Sequence, residues 1–373
     1  VKRRRSEGSV EPEGEAKAEE KAAAASGDLP VTTGTVVVGT YDGALLGFGL
    51  DDGAQQFGYA PHTGCVKAVH CSQTGRLATG GTDNAIRLFD LVRNVEMGEL
   101  QEHEDTVSSV QFWGNTTLVT GSGDGQVCIW RSSDWELLLK FRGHKAGVTS
   151  LAVHPSGRLM ASAGRDSHIR LWDLTRGTSA AHLTADDAIE VLEWSPNGKQ
   201  IAAMSAKELL LVDVEGGGKV SFRDSSSSGF MRVSLMAVAF LGDDVLALGD
   251  GKGDVRIICR SSTGLEEACR LPVDDTPGRG RVKVLLKAGP DKLVIGLSTG
   301  IVEVWSFPAK KMVKGKLAAS DFQKLKSVDT KSRLTCAAVF VPGQEAAVVP
   351  ISVPISAAVA QSKQGGKKKK RSS

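Results

Sequence analysis

Three histidines in this chain stand ahead of three carboxylates at a near-constant separation, each pair with a hydroxyl residue between: His62, Thr79 and Asp83; His103, Thr120 and Asp124; His144, Ser162 and Asp166. An aromatic residue follows each aspartate by six positions: Phe89, Trp130 and Trp172. A histidine beside a carboxylate could move protons as a general acid or base. Repetition argues for another role, because an active site needs one constellation, whereas a hydrogen-bonded set that holds a repeated unit together needs one copy per unit. No phosphate-binding glycine loop, zinc-protease helix motif or nucleophile elbow accompanies the histidines. No catalytic residue is assigned. The six cysteines (Cys65, Cys71, Cys128, Cys259, Cys269 and Cys336) include no Cys-x-x-Cys pair, so no metal site and no cofactor are expected. Free, buried thiols in a reducing compartment account for them.

The elements that must position these residues are short strands. From Gly143 to Leu174 the chain shows three alternating apolar runs (Val148–Val153, Leu159–Ala163, Ile169–Leu174) split by Pro155-Ser156-Gly157 and Gly164-Arg165-Asp166. Those interruptions are turn chemistry, which predicts antiparallel strands. One such unit cannot cover its own apolar faces and needs copies as neighbours. The aspartates at 42, 83, 124 and 166 repeat about every forty residues, and pairs of strands can be counted seven times: Val36–Phe48, Leu77–Leu91, Leu118–Trp130, Leu159–Leu174, Gln200–Val214, Val245–Ile258 and Leu293–Trp305. In the last three, Ala206, Lys252 and Thr299 stand where the aspartate should be, and Trp305 remains without its partners. Those units are expected to hold by packing alone. The first unit lacks a preceding strand, and Leu334–Val341 before Pro342-Gly343 matches Val148–Val153 before its turn, so the far end of the chain is expected to supply it and close a ring.

These residues resemble the WD40-repeat family, whose four-stranded blades carry a Gly-His to Trp-Asp signature at this spacing. The resemblance implies an all-β, seven-bladed WD40 β-propeller closed by a C-terminal strand, with His, Ser/Thr, Asp and Trp hydrogen-bonded inside each well-formed blade. Two sets are complete, and the one ending in Phe89 lacks the indole donor. On this reading residues 34–342 form the propeller, and residues 1–33 and 343–373 are disordered tails. Asp224–Gly229 reads as a surface loop, and the Lys-rich stretch Asp321–Ser332 as a short helix or loop. On the narrow upper face that WD40 geometry implies, Tyr41, Thr82, Lys145 and Arg165 are candidate partner contacts. Trp135 reads as a packing residue.

A net charge of +3 is mild, but both ends are basic: Lys2, Arg3, Arg4 and Arg5 at one, Lys367, Lys368, Lys369, Lys370 and Arg371 at the other. Such clusters fit nuclear import or attraction to phosphate. No apolar segment follows the basic start, and Ala346–Ala360 is too short to span a bilayer, so an intracellular protein with no membrane association is expected.

Further stretches are more particular: Asp124–Trp130 followed by Asp134-Trp135-Glu136, His154–Gly157, Val191–Pro196, and Ser332–Cys336. Together they resemble the PAK-interacting protein family and its yeast Mak-type counterparts over roughly residues 36–340. The resemblance implies a non-catalytic nucleolar scaffold in assembly of the large (60S) ribosomal subunit. Its partners would be pre-60S assembly factors, the pre-ribosomal particle and pre-rRNA, with no small-molecule substrate. An alternative from the same family is negative regulation of a p21-activated kinase. Another class, a ubiquitin-ligase substrate receptor, would carry Trp-Asp-x-Arg; Trp172-Asp173-Leu174-Thr175 puts Arg176 one residue late, and Phe89-Asp90-Leu91-Val92 does the same with Arg93.

Overall fold

A computed structural model describes residues 34–215, 218–225, 234–261, 264–271, 278–312 and 317–342. Both basic ends and the proposed tails lie outside the described residues, as do residues 226–229 of the predicted serine loop; its first two residues, Asp224 and Ser225, close a strand. Within the described residues, alternating apolar runs and tight turns produce twenty-eight strands, from β1 (Thr35–Thr40) to β28 (Leu334–Phe340), in seven four-stranded antiparallel sheets.

Each sheet is a blade whose strands run outward from an innermost one. The innermost strands are β28 for blade one, then β4 (Val66–Cys71), β8 (Val107–Trp113), β12 (Val148–Val153), β16 (Ile189–Trp194), β20 (Leu235–Gly242) and β24 (Val282–Ala288). Each contacts the next in turn, and β24 meets β28, which meets β4. The ring therefore closes around an axial channel. Closure in blade one is the predicted pairing of chain ends: β28 lies antiparallel beside β1, Thr35 opposite Phe340 and Val38 opposite Ala337. No helix among the described residues is long and apolar enough to cross a membrane.

The core is divided into seven apolar layers, each sandwiched between neighbouring blades. One layer joins Leu45 and Phe57 of blade one with Leu77 and Phe89 of blade two and Phe340 of the closing strand. Another joins Phe112 to Trp130, with Trp135 packed edge-on against Phe112 and the Arg76 guanidinium over its ring. Trp135 thus serves packing. Turn glycines fit between blades where no side chain could: Gly157 has φ of 68°, and a Cβ there would lie 1.8 Å from the Trp113 ring.

The Lys-rich stretch differs from the helix or loop that its polarity predicts. It forms β27 (Gln323–Asp329), the outer strand of blade seven, paired with β26 (Ile301–Ser306). Lys324 and Lys326 sit on an exposed edge, where lysine discourages pairing with another chain.

One register feature recurs in all seven blades. Between the first and third residues of each innermost strand the ladder skips one residue: Lys67, Ser108, Thr149, Glu190, Met236, Lys283 or Thr335. This is a β-bulge, a device that re-aims a side chain at the rim of a closed sheet.

Side chains inside the ring also staple neighbouring blades. The His70 Nδ1 accepts the Phe112 N–H at 3.1 Å, Gln111 accepts that of Val153 at 2.9 Å, and Glu193 accepts that of Phe240 at 3.0 Å. Burial drives the His70 pKa down to about 4, which keeps the ring neutral and its nitrogen free to accept. Burial pushes the Glu193 carboxyl up to about 8, against the Phe240 N–H and the nearby Lys287. Linkage then works in opposite directions. The raised Glu193 value means that its contribution is complete below the unfolded pKa of about 4.3 and is lost as pH climbs to about 8. The lowered His70 value means that its contribution is lost as pH falls from about 6.5 to about 4. Glu193→Gln keeps the acceptor and removes the ionisation. It is expected to raise stability at pH 8 by about 1–2 kcal/mol, discounted for channel water, and to leave pH 5 nearly unchanged; urea titrations at the two pH values measure this.

Candidate binding face

The turns between the second and third strands of the blades share one face of the ring with the loops that enter the innermost strands. On this face the repeated polar sets assemble. In blade four the Trp172 Nε1–H donates to the Ser162 hydroxyl at 2.8 Å, that hydroxyl pairs with His144 Nε2 at 2.7 Å, and His144 Nδ1 meets Asp166 Oδ1 at 2.9 Å. Asp166 Oδ2 then accepts the Lys145 N–H at 2.9 Å. Blade three repeats the chain through Trp130, Thr120, His103, Asp124 and the Glu104 N–H. Blade two has His62, Thr79, Asp83 and the Thr63 N–H, with Phe89 in place of the indole, so the Thr79 oxygen accepts no indole proton; its hydroxyl pairs with His62 Nε2 at 2.8 Å.

The arrangement of Asp, His and Ser in blade four has the connectivity of a hydrolytic triad. Its hydroxyl is wholly buried, as are those of Thr79 and Thr120, and its oxygen already receives an indole proton. No substrate can reach it. What the set does is tie the outer turn of a blade to the loop that enters its innermost strand. Burial holds the His103 and His144 pKa values down despite their carboxylates, so both rings are neutral links. Burial opposes ionisation of Asp124, but the Gln126 and Glu104 N–H groups and His103 hold its carboxyl below the usual range.

Blades five to seven do not rely on packing alone. Each has moved its carboxylate. In blade five Glu208, 3% exposed, accepts the Asp186 N–H at 2.8 Å, the same service that Asp166 gives Lys145. In blade six Asp250 accepts the N–H groups of Lys252 and Asp254, both at 2.9 Å, and pairs with Arg256. In blade seven Trp305 does have a partner: its indole donates to Glu303 Oε2 at 3.0 Å, and the same carboxylate holds Arg279 at 2.8 Å and Lys324 at 2.9 Å. A template read position by position misses these, because the acid stands two residues before the expected aspartate or two to four after it.

The four candidate contacts share this face, Tyr41 and Thr82 on blades one and two, Lys145 and Arg165 on blade four. Tyr41 is 57% exposed with the Arg333 guanidinium 5.5 Å from its ring centre. Thr82 and Arg165 are exposed in the corresponding turns of blades two and four, their N–H groups bound to the carbonyls of Cys65 and Gly147. Lys145 is exposed in the loop entering blade four, beside a polar cleft of about 390 Å³ lined by Glu104, Asp124, Arg142 and His144. Polar walls suit a binding face better than a pocket for an apolar small molecule. Arg176 and Arg93 fold back towards Asp173 and Asp90. All six cysteines are free, and burial pushes the Cys128 and Cys336 thiols up to about 12, which leaves them inert. Among the described residues no cluster of three metal-binding side chains occurs.

Ring closure, four-stranded blades and the buried polar sets together define a WD-repeat β-propeller that works as a protein-binding scaffold. The WD domain, G-beta repeat family profile matches residues 53–90, 94–131 and 135–173. The chain is 33% identical over 321 residues to p21-activated protein kinase-interacting protein 1 of Mus musculus, covering 82% of this chain and 79% of the relative. It is 29% identical to the p21-activated protein kinase-interacting protein 1-like of Danio rerio (83% and 81% covered) and 26% identical to Shk1 kinase-binding protein 15 of Schizosaccharomyces pombe (72% and 76% covered). The chain belongs to the p21-activated protein kinase-interacting family of WD-repeat proteins.

Proposed function

We propose that this propeller is a non-catalytic scaffold of the nucleolus, acting in assembly of the large ribosomal subunit by holding other assembly factors and lying near pre-rRNA. Membership of the family carries this reading, since the resemblance in the blades is the feature that implies the ribosomal role. Burial of every His/Asp-linked hydroxyl in blades two to four supports binding over catalysis. The basic clusters at both ends supply the attraction to phosphate and the import signals such a location needs. Gradient sedimentation of tagged protein, with identification of the RNA and proteins that co-migrate, tests it. Co-sedimentation with large-subunit precursor rRNA is the expected result; migration in light fractions with no precursor RNA would overturn it.

A second reading has its own observation: the relatives' names, from fission yeast to mouse, describe binding to a p21-activated kinase or to Shk1 kinase. Kinase recovered in the light fractions, apart from any ribosomal precursor, would favour that reading.

A further inference from the structure

The bulged residue of each innermost strand stands where the axial channel opens onto the binding face. Where it is Ser or Thr it has a fixed structural task. Ser108 bonds the Gly121 carbonyl of its own blade and the Val148 carbonyl of the next; Thr149 does so with Ala163 and Ile189, and Thr335 with Gly39 and Val66. Blades two and seven place lysines there instead, Lys67 and Lys283, and forgo that two-carbonyl link. Arg281 and Arg333 add cations at the residue just before the innermost strands of blades seven and one. These blades are consecutive around the ring: seven, one, two.

Four cations thus converge on one arc of the mouth, and the one carboxylate among the groups acting on Lys283 is Glu190. Among the described residues none of the four has an ion pair. The innermost strand of blade one lies between those of blades seven and two, so the starts of these three strands, and with them the four cations, are neighbours on the ring; burial first and then Arg281 hold Lys283 below the ordinary lysine range. A group of like charges at a rim is costly unless something of opposite sign completes it, and breaking a local rule without a structural benefit marks a functional position.

We infer that the channel mouth binds an acidic peptide segment of a partner protein, its carboxylates meeting Lys67, Arg281, Lys283 and Arg333 while the exposed Tyr41 ring supports its backbone. A peptide fits better than nucleic acid because the cations cover only part of the face. The loops entering blades three and five present Glu104, Asp105, Asp186 and Asp187. Asp186 and Asp187 are paired with Arg223 and Lys207, but a phosphate backbone laid across the ring would still run onto Glu104 and Asp105, whereas a short acidic segment can end at the basic arc.

This inference rests on the protein-binding reading and is independent of the ribosomal one, because purified protein suffices to test it. The probe is a fluorescently labelled ten-residue glutamate peptide, titrated by anisotropy at low and physiological salt. The variant Lys67→Thr/Lys283→Thr restores the residue type that Thr149 and Thr335 use. It is expected to melt at or above the parent's temperature while binding the peptide at least about tenfold more weakly. Salt should weaken parent binding more steeply than the variant's, which keeps only Arg281 and Arg333. Equal peptide affinity in parent and variant, or no binding by the parent, would overturn the proposal. So would tighter parent binding of a ten-nucleotide single-stranded RNA lost in the same variant, which would reassign the mouth to nucleic acid.

Discussion

A chain ending at Arg333 is expected to lose cooperative folding altogether. β28 serves as the innermost strand of blade one, with its register against β1 running from Thr35–Phe340 to Thr40–Leu334. Its side chains belong to two interblade layers at once: Ala338 and Phe340 pack with Leu45 and Phe89, while Leu334 and Ala337 pack with Val294 and Val302 of blade seven. Removing it takes away one of the two partners of β1 and opens apolar surface on blades two and seven. Leu334 and Phe340 at about 1.5–3 kcal/mol each, together with the lost ladder and the apolar surface opened on both neighbouring blades, approach the whole stability of a typical domain, about 5–15 kcal/mol. Thermal melts followed by circular dichroism, with sedimentation to detect aggregation, test this. A truncated chain that stays monomeric and melts cooperatively within a few degrees of the parent would show that blade one closes without its fourth strand.

Glu303→Leu is expected to be the most damaging single change in blade seven, costing about 3–5 kcal/mol. Glu303 is 1% exposed and its carboxylate serves three donors, from Arg279, Trp305 and Lys324. Leucine leaves Arg279, 8% exposed, with only the Gly253 carbonyl at 3.2 Å, and leaves an indole N–H unpaired. Glu303→Gln keeps an acceptor and should cost roughly half as much. The pH dependence carries the sign: burial opposes ionisation, but Lys324, Trp305 and Arg279 together hold the carboxyl below its usual range. Its stabilisation is therefore present above the unfolded pKa of about 4.3 and lost as pH falls through the lowered folded value. Urea midpoints at pH 7 and pH 4 measure both effects: the difference between parent and Glu303→Leu should shrink in acid, and a difference that grew would contradict the assignment.

The ring was legible because its best blades repeat chemistry at a fixed spacing. His144, Ser162, Asp166 and Trp172 are each needed where they stand, since a hydrogen-bond chain of four groups tolerates little displacement. Closure could be read from β28 because its alternation, with a proline and a glycine following in the sequence, repeats the pattern of β12. The degenerate blades were harder. Glu208, Asp250 and Glu303 restore a buried carboxylate by other routes, and Arg279, the partner of Glu303, lies 24 residues away in an entering loop. The Lys-rich β27 gave no apolar alternation to read, since its residues are exposed except for half-buried Val328, and pairing with β26 alone makes it a strand. The basic arc at the channel mouth depends on the bulge register, which brings residues 67, 281, 283 and 333 together only after the ring has closed.

The way the ring closes also sets how it answers to force. In the seam between β1 and β28, Thr35 and Phe340 sit opposite each other at the same end of the ladder. Tension applied to the two ends of the chain would load those hydrogen bonds one after another, peeling the seam like a zipper, whereas opposite-end loading would strain the whole row at once. A structure held by seven interblade layers at rest thus has a mechanically weak line. A machine that pulls on either end could open the propeller there and dismantle it blade by blade, at far lower force than shearing the same strands would take.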